Sequence, residues 1–96
     1  MKEPLAPAKL KALLVAALAD GELAFTQHAY EEMAKDNLSE LDVRNVLRGG
    51  AARSGELVQG TYRYRIETAR LAVVVAVRGA TAVVVVTAWR SKEKRR

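Results

Sequence analysis

At Gly49-Gly50 the hydrophobic period of the chain changes, and that change limits the folds open to it. Before it, apolar residues recur every three or four positions, the spacing of a buried helix face. Leu10, Leu13, Leu14, Ala17 and Leu18 make one such face, with Lys9 and Lys11 outside it. After it, side chains alternate with period two, as in strands. Tyr62, Tyr64 and Ile66 fall on one side, and Arg63, Arg65 and Glu67 on the other. A run of helices followed by a run of strands implies an α+β domain with its helices packed on one sheet face.

Local signals set the boundaries. Pro7 suits a first helical turn, where its missing N–H is not needed. Asp20-Gly21 ends that helix, with Gly21 expected in the left-handed conformation past its C-terminus. Thr26 is the N-cap of a second helix. Phe25 and Tyr30 flank it as a hydrophobic staple, and Ala29 and Met33 continue inward. Asp36-Asn37 breaks this helix. Ser39 and Asp42 stand at capping-box spacing, with Leu38 and Val43 as the staple pair. Val43, Val46 and Leu47 then face inward until the glycine pair. Four strands are expected at residues 56–59, 61–68, 71–78 and 82–90. Gly60 turns the first pair, and Arg78-Gly79-Ala80-Thr81 the last. The predicted architecture is two to three N-terminal helices on one face of a twisted antiparallel β-sheet of about four strands. It forms a single domain over residues 1–90. Residues 91–96 read as a disordered basic tail.

The chain has 96 residues, enough for one core and not two. It has no cysteine, which excludes disulfides and thiolate metal sites. The start, Met1-Lys2-Glu3-Pro4, lacks the layout of a secretory signal. The apolar runs at 71–77 and 80–86 are interrupted by Arg78-Gly79 and fall short of the roughly 20 residues a span requires. The expectation is a cytoplasmic chain with no membrane contact.

Charge is divided unevenly. Residues 1–43 carry four lysines against eight carboxylates, a net of −4. Residues 44–96 carry twelve cations against three carboxylates, a net of +9. Eight of those cations are arginines in the body of the domain, and the planar guanidinium fork matches phosphate better than an ammonium does. Either this is solvated surface with a basic tail, or the C-terminal half meets a polyanion. If the tyrosines pack under the helices, Arg63 and Arg65 stand together on the open face, about 7 Å apart along the strand.

Several residues are candidates for chemistry. Arg63, Arg65 and Arg90 are expected to converge on one phosphate and stabilise charge developing on its oxygens. Arg90 joins them only if its parity on the last strand matches. Tyr62 and Tyr64 are proton donors, stacking platforms or core. His28, the only histidine, lies at the second position of its helix, where the helix dipole favours neutral imidazole. It is a general-base candidate or a local packing residue. Glu56 and Glu67 are bases or salt-bridge partners of the arginines. Trp89 is read as core in preference to a base-stacking aromatic. Arg53, Arg70 and Arg78, with Tyr64, complete the candidate RNA contacts. With one histidine and no cysteine, no metal site and no cofactor are expected, and no phosphate-cradling glycine loop or nucleophile elbow is present.

The stretch running from His28-Ala29 through Met33, Asp36, Leu38-Ser39, Asp42-Val43 and Val46-Leu47 to Gly50 resembles the family catalogued as domain of unknown function 4258. Tyr62-Arg63-Tyr64-Arg65-Ile66-Glu67-Thr68 and Val85-Val86-Thr87-Ala88-Trp89-Arg90 resemble its branch of MqsR-like toxins. The resemblance spans residues 25–90. It implies a RelE-like fold for the single domain, and a metal-independent endoribonuclease, an mRNA interferase. In such enzymes the ribose 2′-hydroxyl attacks the adjacent phosphate. It also implies a partner, a cognate antitoxin of zinc-finger and helix-turn-helix layout. Tyr62-Arg63 and Trp89-Arg90 stand where that branch carries a Tyr-Arg pair and an aromatic followed by lysine. Arginine in the place of that lysine favours charge stabilisation over proton donation, because arginine stays charged. A non-catalytic nucleic-acid-binding or regulatory module on the same fold is the alternative. A third is a protein-interaction domain whose basic face meets an acidic partner.

Overall fold

The computed structural model describes residues 2–91; the basic tail from residue 92 onward lies outside the described residues. Helix α1 (Pro7–Asp20), strand β1 (Glu22–Phe25), α2 (Gln27–Lys35) and α3 (Glu40–Gly49) come first. Then follow β2 (Ala51–Ala52), β3 (Glu56–Val58), β4 (Thr61–Glu67), β5 (Leu71–Gly79) and β6 (Ala82–Arg90). The three helices pack on one face of an open sheet ordered β1-β6-β5-β4-β2, with β3 paired to β4.

The helix boundaries follow from side-chain chemistry. Thr26 Oγ1 accepts from Ala29 N at 2.9 Å and donates to Val86 O at 3.0 Å, so one hydroxyl caps α2 and ties it to β6. Phe25 and Tyr30 stack at 5.3 Å as the staple around that cap. Ser39 and Asp42 form the reciprocal capping box of α3. The C-terminus of α3 is satisfied from a distance. Lys11 on α1 donates to Leu47 O, Arg48 O and Gly50 O at 3.0, 2.9 and 2.8 Å. This ammonium occupies the negative end of the α3 dipole. Its burial lowers its pKa from 10.5.

The core contains Leu10, Leu14, Ala29, Met33, Val43, Val46 and Leu47 from the helices. Tyr64, Ile66, Val73, Val75, Val83, Val85 and Ala88 meet them from the sheet. Ile66 is fully buried, and its truncation to alanine would cost about 2–5 kcal/mol by lost transfer energy and cavity.

The sheet has six strands rather than four, and it is mixed rather than antiparallel throughout. The strand that changes its character is β1, which runs parallel to β6 with Glu22 opposite Ala82 and Phe25 opposite Val85. Four residues after a helix carry little periodic signal, and their partner lies in the last strand. Gly21 ends α1 with φ −103, outside the left-handed region. Glycine is needed there because a Cβ would overlap the carbonyl oxygen of Thr81 in the β5–β6 turn. The left-handed turn lies elsewhere. Gln59 and Gly60 have φ of 49 and 81, the type I′ geometry that closes a two-residue hairpin between β3 and β4.

One irregularity governs the last strand. Val74 pairs with Thr87 but Val75 pairs with Val85, so Val86 is an extra residue, a β-bulge. Before the bulge, Val83 and Val85 face the helices. After it, the helix-facing residues are Ala88 and Arg90, and Thr87 and Trp89 turn to the open face.

Candidate anion-binding groove on the open sheet face

Alternation on β4 sends Tyr64 and Ile66 into the core and Arg63, Arg65 and Glu67 to the uncovered face. There the arginines line a groove of about 510 Å³, with Arg53, Glu56, Thr87 and Trp89 among its other walls. Arg53 enters because its N–H donates to Arg65 O at 2.9 Å, which extends the β2–β4 pairing by one residue. Its Nε lies 2.8 Å from Glu67 Oε2. That ion pair is partly exposed and is worth up to about 1 kcal/mol.

The remaining two arginines differ in their surroundings. The Arg65 guanidinium reaches across β5 to lie over Trp89, with Cζ 5.1 Å from the ring centroid. A cation over an aromatic ring contributes about 0.5–1 kcal/mol at an exposed site. Arg63 Nε is buried and has no hydrogen-bond partner. A buried donor without an acceptor costs about 1–3 kcal/mol, more when charged. Arg63 nevertheless lines the groove and is only half-buried, and a guanidinium fork matches the geometry of a phosphate. Glu56, directly opposite Arg63 in the β3–β4 register, is exposed and makes no ion pair among the described residues.

Several candidate residues lie elsewhere. Arg90 does not converge with Arg63 and Arg65. The bulge at Val86 inverts its parity, and it stands on the helical side. There its N–H donates to Asp36 Oδ2 at 2.6 Å, and Nη2 and Nε donate to Asp36 O at 3.2 and 3.4 Å. It closes the C-terminus of α2. The same inversion brings Trp89 out of the core and into the groove, contrary to the core placement expected for it. The tyrosines go inward. Tyr64 is fully buried, so its ring offers no stacking surface. Its hydroxyl donates to Glu3 Oε2 at 2.7 Å and accepts from Leu5 N at 3.0 Å. Burial, with the Glu3 bond second, pushes this phenol above its ordinary 10.0. Tyr62 is half-buried against the core.

His28 is exposed at the second position of α2, on the helical side of the sheet. Arg70 is exposed in the β4–β5 turn, where its carbonyl accepts from Ser91 N at 2.7 Å. It lines a different hollow with Asp42 and Asn45. Arg78 is exposed near the β5–β6 turn. It lies about 13 Å along β5 from Val74, by strand rise. Of the eight arginines in the body of the domain, the fold therefore gathers Arg53, Arg63 and Arg65. Thr87 and Trp89 join them, and only a bulge visible in three dimensions reveals that they do.

Among the described residues no cluster of three or more histidine and carboxylate side chains is placed to hold a metal, and no helix is long and apolar enough to cross a membrane. Neither a curated protein nor a solved structure matches the chain. A family model does match it, over residues 25–90, which include α2, α3 and β2 through β6 with the whole of the groove. The chain belongs to the family described as Domain of unknown function (DUF4258).

Proposed function

We propose that the groove binds single-stranded RNA and cleaves it, and that the chain is the toxin of a type II toxin–antitoxin pair. The observation that carries this is the pairing of two differently prepared arginines. Arg63 lines the groove with no ion-pair partner among the described residues, and Arg65 lies over the Trp89 ring. The first suits a phosphate, and the exposed side of the second suits an unstacked base, which is how sequence-accessible RNA is bound. Three helices on one face of the sheet are compatible with the RelE-like mRNA interferase that the family resemblance implies, whose reaction requires no metal. The ribose 2′-hydroxyl attacks the adjacent phosphorus, and Arg63 and Arg65 stabilise the charge gathering on the equatorial oxygens. The cognate antitoxin, of zinc-finger and helix-turn-helix layout, covers the same basic face in the cytoplasm.

The test is cleavage of a single-stranded RNA in the presence of a chelator. Products ending in a 2′,3′-cyclic phosphate and a 5′-hydroxyl are expected, with binding that weakens steeply as salt rises. Binding indifferent to salt, or no binding at low salt, overturns the RNA reading. A second reading, a non-catalytic RNA-binding or regulatory module, is favoured by one observation. Among the described residues, no histidine or lysine lines the groove to protonate the leaving oxygen. RNA that is bound and never cut would select this reading over the nuclease.

A further inference from the structure

Resting on the nuclease reading above, we infer that Glu56 is the general base that activates the 2′-hydroxyl. Two carboxylates among the described residues line the groove, Glu56 and Glu67. Glu67 is committed to Arg53 at 2.8 Å. Glu56 has no hydrogen-bond or ion-pair partner among the described side chains and is exposed. It stands directly across from Arg63 on the neighbouring antiparallel strand. Residues so opposed share a sheet face, with Cβ atoms roughly 4.5–5.5 Å apart. A phosphodiester seated on the Arg63 guanidinium therefore presents its neighbouring ribose to the Glu56 carboxylate. The unpartnered Arg63 Nε shows that Glu56 does not occupy that donor itself. The pair is a base beside a charge stabiliser, and not a surface salt bridge.

The step balances without a cofactor. The Glu56 carboxylate takes the 2′-hydroxyl proton as O2′ bonds to phosphorus, and the P–O5′ bond breaks. With no histidine or lysine among the described groove residues, the departing O5′ takes a proton from water. The hydroxide so formed is neutralised by the proton held on Glu56, which restores the carboxylate. The products are a 2′,3′-cyclic phosphate and a 5′-hydroxyl, with no net proton change.

The experiment uses the full chain and a DNA oligonucleotide carrying one ribonucleotide, so that a single bond can be cut. Binding is measured beside single-turnover cleavage for wild type, Glu56→Gln and Glu56→Asp. Glu56→Gln is expected to bind as tightly as wild type or tighter, because a like charge has left the phosphate site. Its cleavage should fall about 10²–10⁴-fold, the contribution of a positioned base. Glu56→Asp, which keeps the carboxylate on a shorter stem, should recover part of that rate. The retained binding of Glu56→Gln shows that the variant is folded. If Glu56→Gln cuts within severalfold of wild type, the assignment of the base is wrong and the nuclease reading stands. If wild type binds and never cuts, both fall.

Discussion

Replacing Lys11 with methionine should destabilise the domain by about 2 kcal/mol, although Lys11 is one of two lysines in a helix and the other, Lys9, is exposed. Methionine keeps most of the apolar stem and removes the ammonium. Three carbonyl oxygens at the end of α3 lose their donor, those of Leu47, Arg48 and Gly50. The Arg48 bond is exposed, and water replaces it at little cost. The Leu47 and Gly50 bonds are partly buried, and each is worth about 1–1.5 kcal/mol net, toward the low end for a charged donor. Against this, methionine avoids the desolvation that lowers the Lys11 pKa. A net loss of about 2 kcal/mol lowers the melting temperature of a domain this size by about 8–16 °C. Urea denaturation followed by circular dichroism measures it, with the slope unchanged if only the folded state is affected. Lys9→Met, on the exposed side of the same helix, is the control and should stay within about 0.5 kcal/mol of wild type. If Lys11→Met unfolds with the control, the three bonds contribute nothing and the distant cap is refuted.

Arg90→Ala should cost about 0.5–1.5 kcal/mol, because its two side-chain donations to Asp36 O are long and exposed, while leaving RNA cleavage intact; a folded variant that has lost cleavage would return Arg90 to the site. His28→Ala should keep its activity, whereas Arg63→Ala should lose about 10²–10³-fold in cleavage rate with little change in melting temperature; growth arrest that vanishes in a folded His28→Ala chain would make His28 the base instead. The raised Tyr64 pKa makes a neutral phenol part of the folded state, so its stabilisation is complete below pH 10.0 and is lost as pH rises through the folded value. Urea midpoints measured upward from about pH 8 should fall more steeply in wild type than in Tyr64→Phe, and equal slopes would contradict the linkage.

The three helices were legible because each announces itself locally, through Pro7, the Thr26 cap with its Phe25–Tyr30 staple, and the Ser39–Asp42 box. Strands β3 to β6 were legible through period two and the turn glycines, and so was the split of β4 into a tyrosine side and an arginine side. What could not be read depended on partners far along the chain. Strand β1 is four residues long and exists as a strand because β6 receives it. Lys11 looks like any exposed lysine until α3 is laid beside it. The largest loss came from Val86. In a run of four valines nothing marks which one is extra, and the choice decides whether Trp89 or Arg90 faces the arginines. The candidate site was therefore half legible. Arg63 and Arg65 were paired correctly, and their third partner was assigned to the wrong side of the sheet.

The parallel pairing of β1 with β6 also governs the order of events as the chain is made. Glu22 meets Ala82 across sixty residues, and Phe25 meets Val85. Closing such a contact early is opposed by chain entropy, so the helices and the β4–β5–β6 meander should assemble before the edge strand docks. A nascent chain that has produced α1, β1, α2 and α3 holds Leu23 and Phe25 without the strand that covers them. The domain cannot be completed from its N-terminal side. Its last valine strand must emerge first, and the groove, whose Trp89 sits near the end of that strand, is assembled only then. The groove therefore forms only after β6 has been made, which separates the folding of the helical half from the assembly of the arginine face.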